Sequence, residues 1–489
     1  MKMFTLSAHR ATVFAFFAVF LLVTAVGAFA GVEEGIALYK QGKVDEAIAE
    51  MRKTAEANPK DAVSRRWLGF YLLKQNKPDQ ALAPLQEARA LNADGADLRN
   101  NLGMAYLGVN DYQKAIVEIQ AALEIRKDWP EALDNLGFAY LQLKDYTKAA
   151  DAYGKAVAAA PGNAALRNNL GLALQGAGKL DDAIIQWRKA VELAPKNSDA
   201  ATNLGLALKN KKDYAGARAA LDKAISIDPD NYTAQLAMAD TMIALGKEAD
   251  AIKYYEAAFK LKPTEFTPAF NLGVLYLRQS KFAQSAAKFS SALEIKPDDL
   301  EAMTYKGWAL YKSGNGEGID VMKQAVEKGP RYTTALVNLA TAYTQTGKKT
   351  EATQAWEAVL DVAPNNAAAI VNLANLYYGD EKFDKALEQY QAAAKADPKS
   401  APAQFGVAAC LAKLDRGKEA IEAYNKTIQL DPNMASAYNN LAVEYEKQKN
   451  IAKAKELYQK ALKIDPTNSE ATRNLKRLKE STSNTKPAT

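Results

Sequence analysis

The hexapeptide LRNNLG occupies residues 98–103 and returns at residues 166–171. The two copies begin 68 residues apart, which is twice 34. The glycine that ends the string, or an alanine in its place, recurs every 34 residues with a single 33-residue step. These thirteen marks are Gly35, Gly69, Gly103, Gly137, Gly171, Gly205, Ala239, Gly273, Gly307, Ala340, Ala374, Ala408 and Ala442. A period of this length indicates an array of similar supersecondary units.

Three further columns keep the same register. Alanine stands twelve residues after the mark in eleven of the thirteen units, and a large, often aromatic residue stands sixteen after it. Proline stands 24 after it in ten units. Within a unit, apolar residues recur at three- and four-residue spacing in two stretches, which predicts two amphipathic helices joined by a short turn. A hairpin of this kind cannot bury its apolar face alone, so the units must stack.

This 34-residue pattern resembles the tetratricopeptide repeat over residues 31–468, as thirteen units. The resemblance implies an all-α fold, a right-handed superhelical solenoid of helix-turn-helix repeats. Residues 469–480 are then expected to form the capping helix that such an array requires, and residues 481–489 a disordered tail.

The first thirty residues have a different character. Lys2 and Arg10 precede an uncharged run over residues 11–30 that ends Ala28-Phe29-Ala30. This pattern predicts a signal peptide cleaved before Gly31, although the run is also long enough for an uncleaved membrane anchor. The expected location is the periplasm or the cell envelope of a bacterium, with membrane contact only through this segment if it stays uncleaved.

The composition argues against several classes of site. His9 is the only histidine and would leave with the signal peptide, and Cys410 is the only cysteine. The remaining chain has no imidazole base, no histidine-ligated metal and no disulfide. No phosphate-binding loop or long basic run is present, which argues against cofactor and nucleic-acid binding. We therefore expect no enzymatic activity, no cofactor and no metal.

Asparagine forms a column two residues before the mark, which we call the asparagine column. Its members are Asn101, Asn135, Asn169, Asn203, Asn271, Asn338, Asn372 and Asn440. The family resemblance implies that this position faces the concave groove, where it is similar to the asparagine ladder of O-GlcNAc transferase that holds extended peptide backbone. An amide can bond both the N–H and the C=O of a peptide. The alternative is that these amides only satisfy a neighbouring helix.

Apolar residues stand immediately after the mark, beside the asparagine column. They include Phe70, Met104, Phe138, Leu172, Leu206 and Trp308. Together with the amides they form the predicted partner-binding groove, suited to an extended or helical segment of moderate hydrophobicity. The alternative is that these side chains pack against the adjacent unit.

The function that these observations favour is a non-catalytic scaffold of the bacterial cell envelope that binds a protein or peptide along its groove. Two alternatives stay open. One is an accessory protein of exopolysaccharide synthesis or export, part of the envelope polysaccharide machinery, and the other is a regulatory subunit of an envelope enzyme.

Three units depart visibly from the pattern. The ninth has a short, glycine-rich stretch at residues 312–318, and the seventh has Ala237-Met238-Ala239-Asp240 in place of Asn-Leu-Gly. The third has Lys127 where proline is expected, with Pro130 displaced by three residues. One interpretation of all three is sequence drift, because loops in repeat arrays tolerate change. The alternative for residues 312–318 is a hinge between two halves of the array.

Overall fold

The computed structural model describes residues 30–483, and this part of the chain is all-α, with 27 helices and no strand. It divides into two compact units, the first ending at Leu261 and the second beginning at Lys262. Within each unit, odd-numbered helices pair with the even-numbered helix that follows, and successive pairs stack. The predicted array of helical hairpins is confirmed. The stretch 312–318 lies inside the second unit, so it does not mark the division between the two.

Over its described residues, 30–261, the first unit contains fourteen helices. They are α1 (30–40), α2 (Val44–Ala57), α3 (Ala62–Lys74), α4 (Pro78–Ala90), α5 (Ala96–Gly108), α6 (Tyr112–Ile125), α7 (Pro130–Gln142), α8 (Tyr146–Ala159), α9 (Ala164–Gly176), α10 (Leu180–Leu193), α11 (Ser198–Asn210), α12 (Tyr214–Ile227), α13 (Tyr232–Ala244) and α14 (Glu248–Leu261). The predicted signal segment, residues 1–30, lies outside the described residues except for residue 30, which begins α1.

The second unit contains the remaining thirteen helices. They are α15 (Phe266–Arg278), α16 (Phe282–Ile295), α17 (Leu300–Lys312), α18 (Glu317–Lys328), α19 (Thr333–Gln345), α20 (Lys349–Val362), α21 (Ala367–Gly379), α22 (Phe383–Ala396), α23 (Ala401–Lys413), α24 (Gly417–Leu430), α25 (Ala435–Lys447), α26 (Ile451–Ile464) and α27 (Ser469–Ser483). Helix α27, where the capping helix is predicted, runs from Ser469 to Ser483. Residues 484–489 lie outside the described residues.

The turn inside each hairpin has one conformation throughout the array. Seven residues after every mark stands a residue with positive φ, and all thirteen turns have one. It is glycine at only five of these sites, including Gly178, and elsewhere a polar residue such as Asn110 or Lys144. The backbone N–H of the next residue donates a hydrogen bond to a carbonyl of the first helix, as Asp145 N does to Tyr140 O at 2.9 Å. This left-handed C-cap satisfies the last carbonyls of the first helix and turns the chain.

The glycine column provides the close contact between the two helices of a hairpin. A Cβ on Gly171 would lie 2.6 Å from the indole of Trp187, and one on Gly137 would lie 2.8 Å from the ring of Tyr153. Both large side chains are buried, Trp187 completely. The large residue sixteen positions after each of these glycines therefore packs directly against the glycine backbone, which explains why the two columns occur together.

In the seventh and ninth repeats, the residues that depart from the pattern make specific contacts with adjacent helices. In the seventh, Asp240 accepts a hydrogen bond from Tyr255 at 2.7 Å and pairs with Lys209 at 2.8 Å. In the ninth, the missing residue shortens α18 to 12 residues, and Gly318 lies against the backbone of α17. A side chain there would clash with α17, so the glycine is required by the close approach of the two helices.

Odd-numbered helices also contact the odd-numbered helices of neighbouring hairpins. Helix α3 contacts α5, and α5 contacts α7. These helices create a surface that runs from repeat to repeat, and we call it the odd-helix face. No helix within residues 30–483 is both long and apolar enough to cross a lipid bilayer.

Candidate functional site

The asparagine column links one hairpin to the next in the first unit. Asn135 donates from Nδ2 to Oδ1 of Asn100 at 3.2 Å, and Asn203 makes the same bond to Asn168 at 3.0 Å. Between them, Asn169 donates to Oδ1 of Asp134 at 3.0 Å. Each bond joins the odd helix of one repeat to the odd helix of the repeat before it. The column therefore holds α5, α7, α9 and α11 in register.

The acceptor of each bond stands three residues before the mark, directly ahead of the asparagine column. The bond forms where the preceding repeat has asparagine or aspartate at that position. It recurs at the C-terminal end, where Asn474 of α27 donates to Asn439 of α25 at 3.1 Å. The first asparagine of LRNNLG, Asn100 or Asn168, accepts a hydrogen bond from the next repeat. In the copy at residues 166–171, the second asparagine, Asn169, also donates a hydrogen bond to the preceding repeat. The doubled asparagine is thus a connection between hairpins.

These bonds use only part of each amide. An asparagine amide has two N–H donors and an oxygen with two lone pairs. The cross-repeat bond takes one donor of Asn135, Asn169 and Asn203 and leaves the rest of each group for other contacts. The amides are half-exposed on the odd-helix face, so water or a partner can reach them.

A cavity of about 570 Å³ opens on the odd-helix face between α3, α5 and α7. Its apolar lining is Trp67, Phe70, Met104 and Trp129, and amides of Asn100, Asn101 and Asn135 also line it. A pocket of this size that combines aromatic side chains with a few polar groups is typical of binding sites.

The aromatic side of the cavity is held in place by ring contacts. The Trp67 and Phe70 rings meet edge to face with centroids 5.6 Å apart. The Lys74 ammonium lies 5.3 Å from the Phe70 centroid, and the Arg126 guanidinium lies 4.2 Å from the Trp129 centroid. Cation–π contacts of this kind stabilise exposed sites by about 0.5–1 kcal/mol each. They fix the rings without closing the cavity.

The cavity also carries charges of both signs. Arg66 and Lys74 of α3 line one part, and Asp97, Glu131 and Asp134 of α5 and α7 line the rest. Burial raises the pKa of the Asp134 carboxyl, the hydrogen bond from Asn169 opposes this, and the nearby Glu131 carboxylate raises it further. The site is therefore electrostatically asymmetric, with bases on α3 and acids on α5 and α7.

Models of the tetratricopeptide repeat match most of the chain. One matches residues 32–69, 68–132, 168–232, 270–330 and 371–435, which is more than half of the chain. Four others match residues 130–163, 207–272, 333–363 and 435–468.

The chain belongs to the tetratricopeptide repeat family. Proteins of this family are generally non-catalytic interaction scaffolds, and this tetratricopeptide repeat chain has the architecture of a protein-interaction scaffold. No curated protein sequence matches it.

Several solved structures are similar to parts of this tetratricopeptide repeat chain. YrrB, described as a TPR protein with an unusual peptide-binding site, is 21% identical, covering 38% of this chain and 97% of that one at a TM-score of 0.36. MamA from Desulfovibrio magneticus RS-1 is 27% identical, covering 35% and 96% at a TM-score of 0.33. A C-terminal part of a TPR protein from Cytophaga hutchinsonii is 17% identical, covering 49% and 98% at a TM-score of 0.44. The family assignment rests on the repeat models.

The structure brings some of the predicted groove residues together and leaves others apart. Phe70, Asn101, Met104 and Asn135 line the cavity. The other predicted residues of the first unit lie further along the odd helices, namely Phe138 on α7, Asn169 and Leu172 on α9, and Asn203 and Leu206 on α11. Phe138 is 41% exposed, whereas Leu172 packs partly against the core. The members of the apolar column therefore differ in exposure, and some are open to solvent while others pack against the core.

The predicted groove residues of the second unit all lie on its odd-numbered helices. Asn271, Trp308, Asn338, Asn372 and Asn440 lie on α15, α17, α19, α21 and α25, all half-buried. Trp308 packs beside Tyr311, with ring centroids 5.7 Å apart. Asn372 donates to Ala368 O of its own helix at 2.8 Å, and Asn440 accepts from Asn439 at 3.1 Å. Neither amide makes the cross-repeat bond of the first unit.

Sequence reasoning missed Trp67, Trp129 and the charged lining. Trp67 occupies the asparagine column in the second repeat, so comparing every member of that column would have found it. Trp129 precedes Pro130, outside the repeat columns, and carries no such signal. Arg66 and Asp134 occupy the column of Asn100 and Asn168, and these two charged residues were visible in the sequence.

Two further features bear on chemistry. Among residues 30–483 no group of three or more histidine, cysteine, aspartate or glutamate side chains is placed to hold a metal ion. Cys410 is fully buried in the second unit, and burial raises the pKa of its thiol to about 12. A thiol in that state is a packing group, because the thiolate is the reactive form.

Proposed function

We propose that this protein is a non-catalytic scaffold that holds an extended segment of a protein partner along the odd-helix face of its first unit. The observation that carries the proposal is the cavity between α3, α5 and α7. It places aromatic side chains, partly used amides and charges on one continuous surface. By contrast, the large residues sixteen positions after the mark are buried inside the hairpins, as Trp187 is, and are not available to a partner.

The partly used amides of the asparagine column favour an extended peptide. Asn135, Asn169 and Asn203 follow one another across three odd helices and are fixed by their cross-repeat bonds. Fixed polar groups contribute to affinity because little conformational freedom is lost when a ligand binds. Contacts to the peptide backbone give affinity without sequence specificity, which then depends on the side chains of the cavity.

In-cell photo-crosslinking tests this proposal. A photoreactive amino acid is placed at Phe70 in the cavity, at Leu172 further along the face, and at Val117 as a control. Val117 is 62% exposed on the even-numbered helix α6. The expected result is a discrete protein adduct at Phe70 and Leu172 and none at Val117. Equal labelling at all three sites, or no protein adduct at Phe70, would contradict the proposal.

We further propose that the scaffold works in the bacterial cell envelope, on the basis of the pattern in residues 1–30. A fusion of this segment to alkaline phosphatase is expected to be active, because the enzyme needs export for its disulfides. The control fusion carries Leu21→Arg and Leu22→Arg, which interrupt the apolar run. Equal activity of the two fusions would contradict export through this segment.

A second candidate is an accessory role in envelope polysaccharide synthesis or export. The observation in its favour is that Trp67, Phe70 and Trp129 line the same cavity, since aromatic rings provide surfaces on which sugar rings can stack. The same crosslinking experiment separates the candidates. A polydisperse carbohydrate adduct at Phe70, in place of a discrete protein, favours the polysaccharide role.

A further inference from the structure

The charged groups of the cavity are not paired with each other. Arg66 lies 6.0 Å from the Trp67 ring and Lys74 lies 5.3 Å from the Phe70 ring, and neither has a carboxylate within ion-pair distance among the described residues. Glu131 and Asp134 likewise have no basic partner within that distance in the described part of the chain. Asp97 alone is paired, with Arg126 at 3.3 Å, and both of those side chains are at least half-exposed.

The unpaired charges give the cavity a basic end at α3 and an acidic end at α7. A cation is favoured next to Glu131 and Asp134 and disfavoured next to Arg66 and Lys74, and an anion has the opposite preference. The Asp134 carboxyl is half-buried. Burial raises its pKa, the hydrogen bond from Asn169 opposes this, and the Glu131 carboxylate raises the pKa further. A ligand cation at α7 would relieve this unfavourable arrangement.

We propose that the cavity selects a peptide segment with an acidic side chain over α3, a basic side chain over α7 and an apolar side chain between them. This inference rests on the proposed function and specifies the partner's chemistry at that site. The middle position faces Phe70 and Met104, the apolar residues that line the cavity with Trp67.

The spacing of the two charges follows from helix packing. Packed helices lie about 8–10 Å apart, so α3 and α7, separated by α5, lie roughly 20 Å apart. An extended chain advances about 3.3–3.6 Å per residue, which places the two charged residues about six positions apart.

The test uses the purified full chain and fluorescein-labelled heptapeptides. The probe is Glu-Ser-Leu-Ser-Leu-Ser-Lys, blocked at both ends, and two control peptides carry glutamine in place of the lysine or of the glutamate. Fluorescence anisotropy is expected to show about fivefold to tenfold weaker binding for each control peptide. The difference should shrink as salt is raised, because the sites are partly exposed. Equal affinities, or no binding of any peptide at millimolar concentration, would overturn the inference.

Two variants locate the effect within the protein. Asp134→Asn keeps the acceptor for Asn169, as Asn100 and Asn168 show in the neighbouring repeats, and Glu131→Lys changes an exposed residue. Asp134→Asn is expected to reduce the preference for lysine over glutamine, because only Glu131 then favours a cation at α7. Glu131→Lys is expected to reduce the preference further, because it also places a base at that end of the cavity. The control is Asp182→Asn, an exposed acid on α10 outside the cavity. An unchanged lysine preference in Asp134→Asn would also overturn the inference.

Crosslinking at Phe70 in cells separates this inference from the proposed function. With the wild-type cavity, a missing protein adduct contradicts the scaffold proposal whatever the peptides do. With Glu131→Gln and Asp134→Asn combined, an adduct of undiminished yield contradicts only the charge selection and leaves the scaffold proposal standing. A severalfold loss of the adduct, with the Asp182→Asn yield unchanged, supports both.

Discussion

Replacing Asn169 with alanine should loosen the array, although the same change two repeats earlier, at Asn101, should not. Asn169 donates to the half-buried carboxylate of Asp134 at 3.0 Å, whereas Asn101, in the same column, follows a repeat that has Arg66 at the acceptor position. A hydrogen bond to a charged group contributes about 1.5–3 kcal/mol when buried. Because Asp134 is partly exposed, we expect Asn169→Ala to cost about 1–2 kcal/mol after allowance for solvent screening.

The expected effect of Asn101→Ala is much smaller. It removes no cross-repeat bond, and alanine is the better helix former, so the change should stay within about 0.5 kcal/mol of zero. Repeat arrays unfold locally and depart from two-state behaviour, so a local measurement is needed. Hydrogen exchange of the α7 and α9 amides provides it. Exchange there should be about 5–30 times faster in Asn169→Ala and about twofold different at most in Asn101→Ala.

A double-mutant cycle identifies the bond itself. Asn169→Ala is combined with Asp134→Asn, which keeps the acceptor and removes its charge, so the cost of losing Asn169 should fall to about 1 kcal/mol. Equal exchange rates for Asn169→Ala and Asn101→Ala would refute the reasoning. The column would then have no structural role at α9, and its amides would be free for a ligand alone.

Four further predictions concern stability and reactivity. The raised pKa of Asp134 lets the folded chain hold a proton that the unfolded chain has lost. The free energy of unfolding should therefore fall as pH rises from about 3.8 through the raised value, and urea titrations of Asp134→Asn should show a flatter profile there. Gly171→Ala should cost about 1–3 kcal/mol in a urea titration, because its Cβ would lie 2.6 Å from Trp187. Gly154→Ala, whose Cβ meets nothing within 4 Å, should instead stabilise α8 by about 0.5–1 kcal/mol. Cys410, whose buried thiol has a pKa of about 12, should not react with Ellman's reagent at pH 8 until denaturant is added, and prompt labelling of the native chain would contradict its burial.

Much of the fold could be predicted from one repeated string. The glycine of LRNNLG and the large residue sixteen positions later pack on each other within one hairpin, as Gly171 and Trp187 do, so a local spacing determines a local contact. The left-handed turn residue was harder to foresee. Lys144 and Glu381 adopt positive φ although neither residue type prefers it. The stacked helices impose that conformation on the turn.

The sequence by itself determined the period, the two helices of each unit and their shared packing columns, because these depend on residues less than one repeat apart. Only the tertiary structure decided which bonds the asparagine column makes between repeats and where a cavity opens. The bond from Asn169 to Asp134 spans 35 residues, and the cavity gathers Trp67, Met104 and Trp129 from three repeats. Such groups meet only after the hairpins have stacked, and their distances depend on how closely three successive odd helices approach one another.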